Sequence, residues 1–283
     1  MIKVGFIDYY LDEWHAQNAP AHLEKQSNGE VKVCYAYGEI PHPTKGTTSE
    51  QWCDKMGIEC CSTIDEVIEK ADVLMVLAPD NCERKEDLCR KALSSGKPCF
   101  VDKPFGTDLA SAKRMFEIAE KSGTPCYSCS SLRYAQEYTT VDRKAIKSLV
   151  TMSPQNSYDN YILHALEPAM MLMEEPAKRV MAVNHGDDFY SVTLEMASGR
   201  YIVINSFNYN SPYMMNISIP TANQLIDCSY DFWIYHYKTM VEFFKTGVEP
   251  VSHKETLTIA AAREAGKKGM ENPGEWIMVD NNY

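Results

Sequence analysis

The first half of the chain alternates short apolar segments with longer segments in which apolar residues recur every three or four positions. The apolar segments are typical of strands that are covered on both faces of a sheet, and the strand predicted over residues 72–79 is the clearest example. The longer segments predict amphipathic helices, such as the one over 109–122 that follows Asp108 and stops at Gly123. This alternation predicts a doubly wound parallel sheet.

The pattern changes after about residue 130. Helices are expected over 135–149 and 160–174, and a group of closely spaced strands follows them. These strands are expected over 178–184, 189–196, 200–207, 213–219 and 224–229. Short turns between consecutive strands favour antiparallel pairing. The predicted fold class is therefore α/β, with a Rossmann-like domain over 1–123 and a C-terminal α+β domain over 124–283 that contains a mostly antiparallel sheet.

Charge and hydropathy narrow the range of partners. The net charge is −11, from 28 basic and 39 acidic residues, which argues against nucleic acid or an anionic membrane as the main partner. A small-molecule substrate is expected instead. The sequence has no apolar run long enough to span a bilayer and no secretion signal at its N-terminus, so a cytoplasmic location is expected.

The ten cysteines are expected to be reduced in a long intracellular chain. Cys126 and Cys129 form a CxxC pair, but no second pair and no histidine pair at ligand spacing follows it in the sequence. No metal site is therefore predicted.

The segment over 72–134 carries the most specific pattern of motifs. A strand ends at Pro79, a helix ends in the letters ALSSGK, and the next strand runs into Asp102-Lys103-Pro104 before another helix and strand. This order resembles the Gfo/Idh/MocA oxidoreductases, the family of glucose–fructose oxidoreductase and inositol dehydrogenase, which have Glu-Lys-Pro at this point. A weaker resemblance lies in DNYILHALEP, where Asn160 and His164 have the spacing of the family's Asp-x-x-x-His.

The resemblance implies NAD- or NADP-dependent oxidation of a sugar, polyol or related hydroxy compound. It assigns Lys103, His164 and Asn160 to the catalytic site. Alcohol oxidation needs a proton acceptor next to the reacting carbon, which a lysine or histidine can provide and an asparagine cannot. Asp159 is a poor substitute because it points about 100° around the helix from Asn160. The resemblance also implies a homodimer through the C-terminal sheet.

In this family the cofactor lies at the carboxyl ends of the parallel strands. The residues of this chain that the resemblance assigns to cofactor binding are Asp8, Tyr10, Pro79, Asn81, Asp102 and Lys103.

The predicted cofactor site departs from the family pattern in its glycine turn. Asp8, Tyr10 and Glu13 stand where the three glycines of GxGxxG would permit a tight turn, phosphate approach and close helix packing. Negative charge there opposes the binding of an anion at the helix N-terminus. These acidic residues also suit a helix start that binds no anion, with Asp12 as the N-cap and Glu13 in the first turn.

Two further departures concern the ribose site and the second domain. The second strand ends in Tyr35, Ala36 and Tyr37, without the acidic residue that usually binds the adenosine ribose, and Glu39 follows only after a glycine. The segment between Lys103 and His164 is also shorter than in the family, so a smaller dimerisation sheet is expected.

Three hypotheses follow from the sequence. The first is an oxidoreductase of this family with an atypical NAD(P) site that lacks GxGxxG. The second is a non-catalytic relative that binds a small ligand or a protein partner. The third is a non-redox enzyme that uses acid–base chemistry on a sugar-like substrate.

Overall fold

The chain forms two compact units. The computed structural model describes residues 1–154, 157–186, 189–207, 211–228 and 231–283. The first unit contains residues 1–129 and 236–253, and the second contains residues 130–235 and 254–283. The first unit therefore continues to Cys129 rather than ending at 123, and it also takes in a segment from late in the sequence.

The first unit is built on a six-stranded parallel sheet with the order β3-β2-β1-β4-β5-β6. Its strands are β1 (Ile2–Asp8), β2 (Val31–Gly38), β3 (Glu59–Cys60), β4 (Val73–Val76), β5 (Cys99–Val101) and β6 (Cys126–Tyr127). The strand order reverses between β1 and β4, which makes their carboxyl ends the switch point where α/β sheets bind ligands. The predicted Rossmann-like parallel sheet is confirmed.

Five helices of this unit separate consecutive strands. They are α1 (Trp14–Gln26), α2 (Ser49–Met56), α3 (Ile64–Lys70), α4 (Cys82–Leu93) and α5 (Leu109–Ser122). The helix predicted over 109–122 is confirmed: Asp108 accepts the N–H of Ser111 at 2.7 Å, and Gly123 ends the helix with a φ of 63°. Gly5 in β1 is needed for close packing, because a Cβ there would lie 2.4 Å from Val67 of α3.

The second unit contains a seven-stranded sheet with the order β12-β11-β7-β10-β9-β8-β13. Its strands are β7 (Ser148–Pro154), β8 (Ala177–Gly186), β9 (Phe189–Met196), β10 (Tyr201–Phe207), β11 (Met214–Ile219), β12 (Ala222–Asp227) and β13 (Ile277–Met278). Of the strand pairs in the described segments, β7 with β10 is parallel and the others are antiparallel. The mostly antiparallel sheet is confirmed, while residue 229 of the strand predicted over 224–229 lies outside the described residues.

The helix predicted over 135–149 is wrong. Short 3-10 turns cover much of residues 131–145, and the strand β7 begins at Ser148. β7 pairs with β10 on one side and β11 on the other, and its residues Leu149, Thr151 and Ser153 are buried. Pairing on both edges therefore outweighs the local preference of this segment.

Four further helices lie in the described segments. They are α6 (Tyr158–Tyr161), α7 (Leu163–Met173), α8 (Phe232–Thr246) and α9 (His253–Glu271). Both α8 and α9 have residues in each of the two units. Within the described segments, the helices are too short or too polar to cross a bilayer.

Candidate functional site

The carboxyl edge of the parallel sheet gathers most of the residues that were predicted to bind a cofactor. Asp8 is the last residue of β1, and Asp102 and Lys103 directly follow β5. Pro79 and Asn81 lie in the loop between β4 and α4, and Asn81 is the N-cap residue of α4. Because β1, β4 and β5 are neighbours in the sheet, the topology brings these residues to one edge.

The Asp8 side chain closes the switch point. Its Oδ1 accepts the backbone N–H of Tyr9 at 2.7 Å and that of Ala78, just beyond β4, at 2.9 Å. Only 1% of Asp8 is exposed, and its Oδ2 is buried without a hydrogen-bond partner. Burial raises the pKa of Asp8 to about 7, against the lowering effect of those two N–H groups. Asp8 therefore joins the ends of β1 and β4 at the point where a glycine would leave space.

Glu13 occupies the N-terminus of α1. It is the N-cap residue, and its two carboxylate oxygens accept the backbone N–H groups of His15, at 2.6 Å, and of Ala16. Burial, followed by the charge of Asp8, raises the pKa of Glu13 well above its ordinary value. The expectation that Asp12 caps this helix is wrong, because the Asp12 carboxylate instead bonds Thr47 at 2.9 Å.

This arrangement determines whether the turn fits a dinucleotide. A pyrophosphate at a Rossmann site binds to the backbone N–H groups at the start of the first helix. Here Glu13 already holds two of those groups, and the buried carboxyl of Asp8 lies at the end of the preceding strand. The turn in this conformation therefore does not fit a pyrophosphate in the family's usual position.

Tyr10 lies at the same turn, but it is not buried deeply enough to close it. The residue is half-buried, and its ring centroid lies 4.7 Å from that of His42. Burial raises the pKa of Tyr10 to about 12, with smaller contributions from nearby carboxylates that include Asp80 and Asp8. The carboxylates of Asp8 and Glu13, rather than the Tyr10 ring, make the hydrogen bonds that occupy the phosphate position.

A buried lysine donates hydrogen bonds to the backbone of the Asp102-Lys103 segment. Lys85 of α4 is fully buried, and its Nζ donates to the carbonyl oxygen of Asp102 at 2.9 Å and to that of Lys103 at 3.4 Å. His15 Nδ1 lies 3.7 Å from Asp102 Oδ2. Burial lowers the pKa of both Lys85 and His15. Lys103 itself is buried, with 6% of the residue exposed.

An acidic residue does lie at the end of β2. The strand continues to Gly38, so Glu39 directly follows it, and the Glu39 N–H donates to the carbonyl oxygen of Asp8 at 3.1 Å. β2 thus extends one residue beyond Tyr37, where the sequence predicts its end. The Glu39 carboxylate is bidentate with Arg84, at 2.7 and 3.2 Å, so it is already paired.

His164 and Asn160 belong to the second unit. Asn160 lies in α6 and His164 in α7, and the single residue between these helices, Ile162, keeps a helical backbone with φ −54° and ψ −32°. His164 Nδ1 lies 2.9 Å from the hydroxyl oxygen of Ser130. Asp159 instead pairs with Lys267 at 2.5 Å.

A buried ion pair lies beside His164. Arg133 donates to Glu167 at 2.8 Å and to Glu255 at 2.7 Å, and the N–H of Ser130 donates to Glu167 at 2.7 Å. Burial raises the pKa of Glu167 to about 7, although Arg133 lowers it. Ser130 thus links His164 to Glu167 within this unit.

The sequence pattern does not predict three of these roles, namely those of Glu13 as the N-cap, Lys85 and Glu167. Lys85 lies three and four positions before Leu88 and Cys89, on the buried face of α4, and Glu167 interrupts the apolar run of α7. A charged residue on an apolar helix face is the signal that could have revealed the last two.

Comparison with known proteins supports the predicted resemblance. The family model GFO_IDH_MocA, described as an oxidoreductase family with an NAD-binding Rossmann fold, matches residues 40–129. Residues 40–129 are therefore similar to the Gfo/Idh/MocA oxidoreductases. Over 91 residues the chain is 32% identical to the uncharacterized oxidoreductase YhhX of Escherichia coli (strain K12). That match covers 32% of this chain and 26% of YhhX, so the chain spans about a quarter of this relative's length.

Solved structures of dehydrogenases share the whole fold. A probable dehydrogenase from Thermotoga maritima has a TM-score of 0.81 at 15% identity, with 98% of each chain covered. A scyllo-inositol dehydrogenase from Lactobacillus casei, with bound NAD(H) and scyllo-inositol, has a TM-score of 0.77 at 12% identity, again with 98% of each chain covered. At this identity the likeness establishes the fold of the chain and no more.

Proposed function

We propose that the chain is an oxidoreductase of the Gfo/Idh/MocA type that acts on a hydroxyl group of a sugar, polyol or related compound and has an atypical cofactor site. The observation that carries this proposal is the position of Lys103, directly after β5 at the carboxyl edge of the parallel sheet, inside the segment that matches the family model. The solved relatives that resemble the chain include inositol dehydrogenases.

Lys103 is the residue that we assign to proton handling. When an alcohol is oxidised, the hydroxyl proton must leave as the carbon gives up a hydride, and in this family a nicotinamide accepts that hydride. The Lys85 ammonium fixes the carbonyls of Asp102 and Lys103, so it positions this segment. Asn160 and His164 are assigned to substrate contact, with Ser130 holding the His164 ring.

The atypical part of the site is the N-terminus of α1. A dinucleotide that uses this helix end has to displace the Glu13 carboxylate from the N–H groups of His15 and Ala16. We therefore expect weak binding of NADH and NADPH by the wild-type protein. Glu39 remains available as a ribose-binding acid only if it leaves Arg84.

The hydrogen bonds of the Glu13 carboxylate to the N-terminus of α1 also favour a second candidate function. If the carboxylates of Asp8 and Glu13 permanently replace the pyrophosphate, the protein is a relative that binds a small ligand without a dinucleotide. The two functions differ in whether any nicotinamide cofactor binds at all.

The deciding experiment titrates the protein with NADH and NADPH, followed by fluorescence, and then assays NAD⁺ or NADP⁺ reduction with a panel of polyols and sugars. We expect Lys103→Met to lower kcat by about 100-fold or more while the NADH affinity stays unchanged, because general acid–base catalysis contributes about 10²–10⁴-fold. Lys55→Met, which changes an exposed lysine of α2, is the matched control.

Two outcomes would overturn the proposal. If neither the wild type nor a Glu13→Ala variant binds a nicotinamide cofactor, hydride transfer is excluded and the second candidate stands. If Lys103→Met retains the full rate of an activity that the wild type shows, the assignment of Lys103 is wrong.

We also propose a homodimer through the C-terminal sheet, and a cytoplasmic location. One face of this sheet carries a row in which Val203 pairs with Val150, Val150 with Asn216, and Asn216 with Leu225. Val150 is 39% exposed and Leu225 is 66% exposed. Apolar side chains across neighbouring strands on one exposed face support an interface there.

A further inference from the structure

A cysteine, a glutamate and a histidine meet inside the first unit, away from the carboxyl edge residues described above. Cys126 Sγ, on β6, lies 3.8 Å from Nε2 of His253, and that nitrogen lies 3.2 Å from Oε1 of Glu249. The three atoms all lie within 4.8 Å of one another. Cys126 is fully buried, while Glu249 and His253 are half-buried.

These separations match those of ligands around one tetrahedral zinc ion. Zinc lies about 2.3 Å from a cysteine sulfur and about 2.0–2.1 Å from a histidine nitrogen, so a tetrahedral angle places sulfur and nitrogen about 3.6 Å apart. The same construction places a histidine nitrogen and a carboxylate oxygen about 3.3 Å apart. The observed separations of 3.8 Å between Cys126 Sγ and His253 Nε2 and 3.2 Å between His253 Nε2 and Glu249 Oε1 lie within about 0.2 Å of these two values.

The groups behind these ligands are arranged as a second coordination shell. His253 Nδ1 lies 3.0 Å from Oε1 of Glu120, so an Nδ1–H donated to this carboxylate leaves the Nε2 lone pair for a metal. The ring of Phe116 stacks on His253 with the centroids 3.9 Å apart, which fixes the plane of the imidazole. The N–H of Cys126 donates to Glu249 Oε1 at 2.7 Å and holds that carboxylate in place.

We propose that Cys126, Glu249 and His253 bind a zinc ion, with a water molecule or another small donor in the fourth position. A thiolate, an imidazole and a carboxylate together are a ligand set that suits Zn²⁺ rather than Mg²⁺ or Ca²⁺. The site is separate from the cofactor edge and does not depend on the function proposed above. Its ligands come from two distant parts of the sequence, which explains why a search for closely spaced cysteine and histidine pairs predicts no metal site.

The first experiment measures metal binding by the full chain. After treatment with a chelator, the protein is titrated with Zn²⁺ by calorimetry against a competing chelator, and the bound metal is counted by mass spectrometry. We expect one zinc ion per chain for the wild type and for Cys99→Ser, which alters the buried cysteine that pairs with Cys126 across β5 and β6. Cys126→Ser and His253→Gln should abolish this binding.

The second experiment keeps the proposal testable if those variants do not fold. Glu120→Gln leaves all three ligands in place, and it should weaken zinc binding by about 10- to 100-fold, as loss of a partner behind a metal ligand typically does. Co²⁺ in place of zinc should give the near-ultraviolet thiolate-to-cobalt absorption band in the wild type.

Three results would overturn the proposal. The wild type could retain no zinc at micromolar free metal, in which case His253 is an imidazolium held between Glu120 and Glu249. The cobalt complex could lack a thiolate band. Binding could also survive unchanged in Cys126→Ser, which would place the metal at a site that does not use Cys126.

Discussion

Removal of the Glu13 carboxylate is predicted to tighten the binding of NADH. In the wild type this carboxylate accepts the N–H groups of His15 and Ala16, so a pyrophosphate must displace it before it can use the same donors. A side-chain N-cap stabilises a helix by about 0.5–2 kcal/mol. Because 1.4 kcal/mol corresponds to a factor of ten in an equilibrium constant, the displacement weakens binding by roughly 2- to 30-fold.

Charge adds to this cost. At a pH above its raised pKa, the ionised Glu13 carboxylate also repels a nearby phosphate. Glu13→Gln removes this repulsion but keeps an oxygen that competes for one N–H group, whereas Glu13→Ala removes both. The expected order of NADH affinity is therefore wild type, then Glu13→Gln, then Glu13→Ala as the tightest.

The assay combines a fluorescence titration of NADH with thermal unfolding of the unliganded protein. Glu13→Ala should lower Tm, because α1 loses its N-cap, while NADH affinity rises. Glu24→Ala, which removes an exposed carboxylate from the far end of the same helix, should change neither quantity appreciably. If Glu13→Ala lowers Tm and leaves the NADH affinity within twofold of the wild type, the N-terminus of α1 is not the phosphate position.

Three other changes test the buried charges and the proposed assembly. Burial raises the pKa of Asp8 from 3.8 to about 7, so the folded protein binds this proton more tightly than the unfolded chain does. The free energy of unfolding should therefore fall as the pH rises from about 4 to 7. Asp8→Asn should flatten this dependence on pH, as measured by urea titrations. Glu167→Leu removes the buried partner of Arg133, which keeps its hydrogen bond to the half-buried Glu255, and should lower the free energy of unfolding by about 1–3 kcal/mol in urea denaturation at pH 8. Leu225→Asp should convert the proposed dimer to a monomer in sedimentation.

The controls for these changes are exposed residues of the same kinds. Asp54→Asn should leave the slope against pH unchanged, Glu117→Leu should change stability by less than about 1 kcal/mol, and Val248→Asp should leave the sedimentation unchanged. An unaltered slope in Asp8→Asn would refute the assignment of that slope to Asp8. A wild type that sediments as a monomer would refute the proposed dimer.

The sequence predicted the fold where local and global signals agree. The helix α5 has Asp108 before it, Gly123 after it and an apolar face between them, so its bounds followed directly from the sequence. β7 shows the opposite case: nothing local in residues 148–154 reveals that two partner strands, β10 and β11, lie on either side of it.

The site could be predicted only in part for a similar reason. The positions of Asp8, Asp102 and Lys103 follow from their place at the ends of strands that the pattern predicts. The direction in which a side chain points does not follow from its place in the sequence. For this reason the sequence predicts Asp12, rather than Glu13, as the cap of α1. Lys85 acts on residues 17 and 18 positions away through its buried Nζ, a contact that only the packing of α4 against the sheet edge creates.

The cap on α1 has a consequence for any phosphate ligand. Because Glu13 is part of the chain, it behaves as a tethered competitor whose local concentration is fixed by the turn, on the order of millimolar or above. Dilution of the protein cannot remove such a competitor, and added phosphate or sulfate must outcompete it before reaching the helix. The apparent affinity of this edge for anions is thus set by an intramolecular equilibrium that precedes every encounter with a ligand.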